Sequence, residues 1–474
     1  MVLRLGRSGG LAPLSIARLP CALLSPGYEW INLRYLHKVV RSTRARATAC
    51  VLSVVAYLGY RAADLYSYTS SPHGSLTLSL SSHCAHVPPI SAAEILQRQK
   101  TLAETLHALN ASAFVAEPGA NTMYYANVSG SAWHLSERPL LLLIAPTVGE
   151  DGAVEAAVSV LTPAFEATRA RTLPVVAKSV AYPAWAEEVD PYAVALDALP
   201  GAAGTIFADG NVRHFIVDGL QKAATEGVEV THAPVEVRQL RERKSSAELE
   251  IMKCANEVTV LAVRAAKEEF YIGMRESEGH ALVDRALSVA GLSQAYSLVM
   301  FGENAALPHG AGTDRELTPS DFVLVDCGGE LHGYVSDVTR SFLLPASRPN
   351  ARQLELWHIV KGAQSHALEA AKAGAVTASV DSAARWFLNL TGNAQYLTHR
   401  LGHGIGLEGH ESPYLRGGSE DIIQTGHTFS DEPGIYIEGE IGIRLEDCFY
   451  IAEDGHAVYL TEGVGGQAED PWNP

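Results

Sequence analysis

Two aspartates in one short apolar stretch constrain this chain more than any other feature. In FVLVDCGGELHGYVSDVTRSFLL, Asp326 and Asp337 each sit in a β-prone run, with glycine-rich turn chemistry between them. Residues paired across an antiparallel hairpin have a constant index sum, so a turn centred between Leu331 and His332 brings the two carboxylates face to face. Like charges that close repel unless a cation or a proton lies between them. The rest of the chain must therefore supply the other half of a charged site.

It does so in the same region. Glu432 and Glu446 lie in FSDEPGIYIEGEIGIRLEDCFYI, whose midpoint is Gly439 in the tight sequence Glu438-Gly439-Glu440. A hairpin centred there sets the two glutamates opposite each other. HRLGHGIGLEGHE adds His399, His403 and His410, and GENAALPHGAG adds His309. Four carboxylates with one imidazole, from His403, are too oxygen-rich for a structural zinc site. They suit a pair of divalent ions such as Mn²⁺ or Co²⁺. Two ions of that kind acidify a water and polarise a carbonyl, which is hydrolase chemistry. Thr339 is read as a hydrogen-bond donor to a ligand carboxylate, and Arg444 as a partner of either Glu446 or substrate.

The remaining chain accommodates such a site without pointing to another. Residues 1–66 hold nine Lys/Arg and two Asp/Glu, so with an overall charge of −17 the remaining residues carry −24. An acidic body does not suit sequence-independent nucleic-acid binding. The six cysteines (21, 50, 84, 254, 327, 448) contain no CxxC pair, and indicate neither a zinc-thiolate site nor a disulfide framework. Cys327 and Cys448 read as small apolar fillers.

In order, residues 1–46 form a basic leader. Residues 47–62 hold an uncharged run, 47–60, behind KVVRSTRAR, and read as a signal anchor or membrane segment. This reading places the catalytic part in a lumen or outside the cell, with a cytoplasmic location as the alternative. Residues 67–91 read as a Ser/Pro/His-rich linker. Residues 92–242 alternate strand-like and helix-like runs, opening on an amphipathic helix in AAEILQRQKTLAETLHALN. At the start of 245–465, Ser245 and Glu248 form a capping box for a long helix. Further helices are expected near 275–290, 350–373 and 377–388, among strands. The tail GVGGQAEDPWNP reads as loose.

The segments D-x-G…S-D-x-T-R-x-F, H-G-I-G-L-x-x-H-E, E-P-G-I-Y and R-x-E-D stand in register with those of the pita-bread metallopeptidases. This is the family of prolidase, aminopeptidase P and methionine aminopeptidase, and the chain resembles it over about 92–465. The resemblance implies an α+β catalytic domain of antiparallel sheets flanked by helices, behind an α/β creatinase-like N-terminal domain. It implies Asp326, Asp337, His403, Glu432 and Glu446 as ligands of two divalent ions, Mn²⁺ first, with Co²⁺ or Zn²⁺ as alternatives. Asp337 and Glu446 would bridge, and Glu432 would double as general base. His309, His399, His410, Tyr436 and Arg444 fall on further active-site positions. The short Glu432–Glu446 link and the N-terminal domain resemble the Xaa-Pro enzymes, which cleave before proline in dipeptides or at the N-terminus of longer peptides. A homodimer is implied as well. Trp133 and His134 are candidates for closing the cleft beyond the proline. The alternatives are a non-catalytic peptide-binding module of the same fold and a creatinase-like amidinohydrolase.

Overall fold

The computed structural model describes residues 80–201, 204–310 and 312–474. All of these belong to a compact unit of residues 72–474. The leader 1–46, the segment 47–62 and the beginning of the 67–91 linker lie outside the described residues.

The first half is a helix-flanked sheet. Helix α1 (Ala92–Ala108) starts at Ser91, whose hydroxyl accepts from the Glu94 N–H, and it buries Ile95, Leu102 and Leu106. It covers strands β1 (Ala111–Ala116), β2 (Leu141–Val148) and β3 (Val154–Pro163), which pair antiparallel. The short strands β4 (Val180–Ala181) and β5 (Ala184–Trp185) pair with β3. Strands β6 (Thr205–Ala208) and β7 (Glu229–His232) extend the sheet in parallel from β1. Helices α2 (Ala120–Ala126), α3 (Pro191–Asp197), α4 (His214–Ala223) and α5 (Val235–Glu242) complete this part. Trp133 is buried here beneath the Arg169 guanidinium, 4.1 Å from the ring centre, and so is a core residue rather than a cleft contact.

Helix α6 (Ser246–Lys267) opens the second half with the expected capping box: the Ser245 hydroxyl accepts from the Glu248 N–H at 3.2 Å, and the Glu248 carboxylate accepts from the Ser245 N–H at 2.8 Å. With α7 (Glu276–Val289) it packs on a sheet of β8 (Ser293–Phe301), β9 (Val323–Leu331), β10 (Tyr334–Val335) and β11 (Val338–Phe342). Helices α8 (Ala351–Ala370) and α9 (Thr377–Leu390) cover a second core. That core is shared with β12 (Gly402–Gly404), β13 (Glu411–Leu415), β14 (Thr428–Asp431), β15 (Gly434–Ile437), β16 (Ile441–Arg444), β17 (Asp447–Ile451) and β18 (Ala457–Tyr459). Strands β13-β12-β14-β17-β18 form one sheet, and β15 pairs with β16. This is the α+β arrangement expected, antiparallel sheets flanked by helices behind an α/β N-terminal part.

Several expectations are corrected. The signal-anchor reading of 47–62, and the lumenal or extracellular placement built on it, is withdrawn: no helix among the described residues is long and apolar enough to cross a membrane. The segment itself lies outside those residues, and its fourteen uncharged positions would rise only about 21 Å as a helix, short of a hydrocarbon core of roughly 30 Å. A disulfide joins Cys84 to Cys254, although spacing in sequence gave no sign of one. The end of the linker is not loose, since Leu80, Cys84 and Val87 are buried against α6. Nor is the tail: the Pro471 carbonyl accepts from Leu343 N–H at 2.7 Å and the Pro474 carbonyl from Arg264 at 2.6 Å. Cys327 and Cys448 are free and buried, as small apolar fillers should be.

Candidate active site

The two carboxylate hairpins converge, though not in identical registers. In the first, Thr339 pairs with Asp326 and Tyr334 with Leu331, so the turn centres on His332-Gly333 rather than Leu331-His332. Both turn residues have positive φ, 51° and 86°, the backbone of a two-residue hairpin turn that matches strand twist. Asp337 falls in the break between β10 and β11 and faces Asp326 from there. In the second hairpin, Gly434 pairs with Arg444 and Asp431 with Asp447. Glu432 and Glu446 therefore sit opposite each other about Gly439, as the midpoint predicts.

Ligand atoms of Asp326, Asp337 and Glu446 lie within 4.8 Å of one another; so do those of His403, Glu432 and Glu446, and those of Asp337, His403 and His410. His403 Nδ1 lies 3.0 Å from the Gly404 carbonyl, while Nε2 points to Glu432 Oε1 at 3.3 Å and Asp337 Oδ2 at 3.7 Å. Burial and the neighbouring Asp326 charge push the Asp337 carboxyl up to about 7, and burial with Asp337 raises Glu446 well above the carboxylate range. Burial also works against ionised Glu432, but the His403 hydrogen bond and charge outweigh it and hold this carboxyl low. A cluster of buried acids that disfavour one another's ionisation, with a buried imidazole among them, suits divalent cations: ions would neutralise what the protein leaves unpaired.

The surrounding groups orient this set. The Thr339 hydroxyl donates to Glu446 Oε2 at 2.6 Å, the role expected of it. Arg444 is fully buried and grips Asp326 Oδ2 at 2.5 Å, rather than Glu446; it also donates to Thr339 Oγ1 and to the Tyr436 hydroxyl. His399 Nε2 lies 2.8 Å from that same hydroxyl. His410 lies against His403 with ring centres 4.0 Å apart and ring planes tilted by 50°, and burial with the nearby His403 charge lowers its pKa to about 4. His309 lines the same cleft of about 1260 Å³ that exposes Asp326, Asp337, Glu432 and Glu446.

Tyr296 and Asn256 escaped the sequence, and Arg340 stood out there only beside Thr339 in the S-D-x-T-R-x-F segment, without its partner. Tyr296 donates to Asp337 Oδ1 at 2.7 Å. Its one sequence signal is Gly328, opposite it on β9, where a Cβ would lie 2.7 Å from the Tyr296 hydroxyl and 1.8 Å from the Ser336 carbonyl. Behind the glutamates, Arg340 pairs with Asp447 at 2.7 Å, both wholly buried, and donates to the Glu446 carbonyl at 2.7 Å. Asn256 on α6 accepts from the Asp337 N–H at 3.3 Å.

Fold and site together define a metal-dependent hydrolase with a pita-bread catalytic half. Residues 250–453 match the family model described as metallopeptidase family M24. The chain is 37% identical over 403 residues to an uncharacterised peptidase of Schizosaccharomyces pombe, covering 82% of this chain and 87% of that one. It is 38% identical over 228 residues to the Xaa-Pro dipeptidase of Pyrococcus furiosus, covering 48% of this chain and 65% of that protein. The solved structure of dipeptidase PepE from Mycobacterium ulcerans superposes with a TM-score of 0.71 at 29% identity, covering 79% and 97% of the two chains. The chain belongs to the M24 metallopeptidase family and is a hydrolytic enzyme, and that family implies divalent metal ions.

Proposed function

We propose that this enzyme hydrolyses the bond before proline in Xaa-Pro substrates, using two divalent ions held by Asp326, Asp337, His403, Glu432 and Glu446, with Mn²⁺ first among candidates. The observation that carries the reading is the convergence of two carboxylate hairpins and His403, in overlapping groups whose ligand atoms lie within 4.8 Å of one another. When bound, such ions supply Lewis-acid polarisation of the scissile carbonyl and an acidified water. Glu432, held ionised beside His403, accepts a proton from the attacking water. His410, neutral near neutral pH and open to the cleft, contacts substrate and passes a proton toward the leaving amine. His309 lines the same cleft and is placed to face substrate. Arg444 keeps Asp326 aimed, while Tyr436 is fixed between Arg444 and His399.

A dipeptide is favoured over a longer peptide by Arg400. This guanidinium lines the cleft without a carboxylate partner among the described residues, lying 4.8 Å over the Tyr414 ring and 3.2 Å from His410 Nδ1. It suits the free carboxylate of a dipeptide's proline. The deciding assay compares Xaa-Pro with Xaa-Pro-Yaa on metal-analysed protein. We expect Mn²⁺-dependent turnover that a chelator removes, and a KM for Xaa-Pro that rises in Arg400→Ala while Xaa-Pro-Yaa is unaffected. Absence of metal-dependent turnover on either substrate class would falsify the assignment.

A further inference from the structure

Outside the catalytic cleft, the chain segment before α1 makes contacts that neither its composition nor the proposed chemistry explains. Residues 80–83 form a helical turn, and Leu80, Cys84 and Val87 enter the same core as Ile251, Ala255, Val258, Tyr334 and Val335. Cys84 is bonded to Cys254 on α6 across 170 residues of sequence, with Cα atoms 5.7 Å apart. His83 Nε2 lies 2.9 Å from Glu257 Oε2, one turn along α6 from Cys254. At the other end of the segment, the Val87 carbonyl lies 3.0 Å from Nε2 of His332, the tip residue of the aspartate hairpin. Eight residues, 80–87, thus span from α6 to the hairpin tip.

The stretch of α6 that receives this bond also holds the hairpin's break. Asn256 accepts from the Asp337 N–H, and Thr259 Oγ1 lies 2.8 Å from Ser336 Oγ, both contacts buried. Residues 336 and 337 fall between β10 and β11; the Ser336 N–H still donates to the Gly329 carbonyl at 2.9 Å, and Asn256 and Thr259 add the restraint that comes from α6. The strap therefore touches the hairpin twice: directly at its tip and, through α6, at the residue that carries the Asp337 carboxylate.

We propose that residues 80–90 form a redox-controlled strap, in which the Cys84–Cys254 disulfide fixes α6 against the Asp326–Asp337 hairpin and reduction loosens the Asp337 side of the site. The chemistry balances with a dithiol as reductant. One of its thiolates attacks Cys84 or Cys254 and the second closes the reagent's own ring, leaving two cysteine thiols and a cyclic disulfide. Reoxidation by a disulfide reagent reverses the exchange. A crosslink of this span acts chiefly by limiting the open ensemble, so its loss is felt in the elements it ties together, here α6 and the hairpin at 332–337.

The consequence for metal affinity rests on reading Asp337 as a ligand, whereas loosening of the hairpin does not. The test uses the intact chain purified without reductant. Alkylation and peptide mapping should recover Cys84 joined to Cys254, with both thiols labelled only after dithiol treatment. Hydrogen exchange on metal-free protein should then quicken at 330–338, by about threefold or more, upon reduction. A Cys84→Ser/Cys254→Ser double variant should exchange like the reduced protein whatever the redox state. His332→Ala should quicken exchange at the hairpin tip with the disulfide intact. Labelling of both cysteines before reduction, or equal exchange at 330–338 in oxidised, reduced and double-variant protein, overturns the proposal. Mn²⁺ titration of both redox states separates the two readings: no binding in either state removes the metal assignment, while the exchange comparison still decides the strap.

Discussion

The two hairpins that carry the acidic side chains reach the same end by different means. The glutamate hairpin is anchored by charge: Arg340 and Asp447 are wholly buried behind it, and the Arg340 guanidinium also takes the Glu446 carbonyl. The aspartate hairpin shares these charges at its base, where β11 supplies Arg340 and Asp326 takes Arg444, but among the described residues its tip and break at 332–337 form no ion pair with Lys or Arg. It is held by neutral hydrogen bonds from Asn256, Thr259 and Tyr296, by Tyr334 between Arg98 and Glu248, and by the 80–90 segment at its tip. A buried ion pair positions a carboxylate firmly but fails abruptly when one member is removed. A set of neutral contacts gives way in small steps. The glutamate hairpin is thus the rigid wall of the site, and the tip and break of the aspartate hairpin the adjustable part.

This contrast can be broken from either side. The largest effect belongs to the ligands themselves: Asp337→Ala should reduce turnover by about a thousandfold or more and halve the metal content, and Glu446→Ala should match it if the two hairpins share the ions equally. Measured kcat with metal analysis checks both, and unequal losses would show which wall dominates. Next comes the support of the rigid wall. Arg340→Leu strands the Asp447 carboxylate and should cost about 3–5 kcal/mol in a denaturant titration. The counterpart, Tyr296→Phe, removes one neutral hydrogen bond to Asp337 and should cost only about 1 kcal/mol. Similar losses for the two would mean the walls do not differ. Thr339→Val, which deletes the hydroxyl on Glu446, should weaken metal binding about 10-fold or more by calorimetry without altering the fold. The smallest effects sit in the turns. Gly439→Ala forces a Cβ into φ 73° with open space around it and should destabilise by about 1 kcal/mol. His332→Gly relieves a non-glycine residue at φ 51° but also removes the contact to Val87, so a change near zero is expected.

The candidate site was largely legible in the chain because its groups are brought together by short-range geometry. Glu432 and Glu446 flank a glycine with no room for any other turn, so their pairing followed from counting. The aspartate pair was read with the turn one residue early, since His332 gives no glycine-like signal of its positive φ; the carboxylates still met because Asp337 sits in a break where strict pairing no longer applies. Helix α6 announced itself through Ser245 and Glu248, a local exchange of hydrogen bonds visible at a spacing of three. The reading of residues 47–62 as a membrane segment failed because an uncharged run alone does not establish a span.

Sequence by itself determined the turns, the caps, the alternation of apolar and polar residues, and the types and order of the acidic and imidazole side chains. Those depend on neighbours within a few positions, where backbone sterics and hydrogen bonding act directly. Tertiary structure decided which distant groups share a dielectric environment. Arg444 went to Asp326 rather than Glu446, Arg340 to Asp447 and Tyr296 to Asp337, because burial makes each charge or hydroxyl seek the partner that packing brings nearest. The Cys84–Cys254 bond belongs to the same class. No local rule links residues 170 positions apart, and only the docking of the 80–90 segment on α6 sets their Cα atoms at bonding distance.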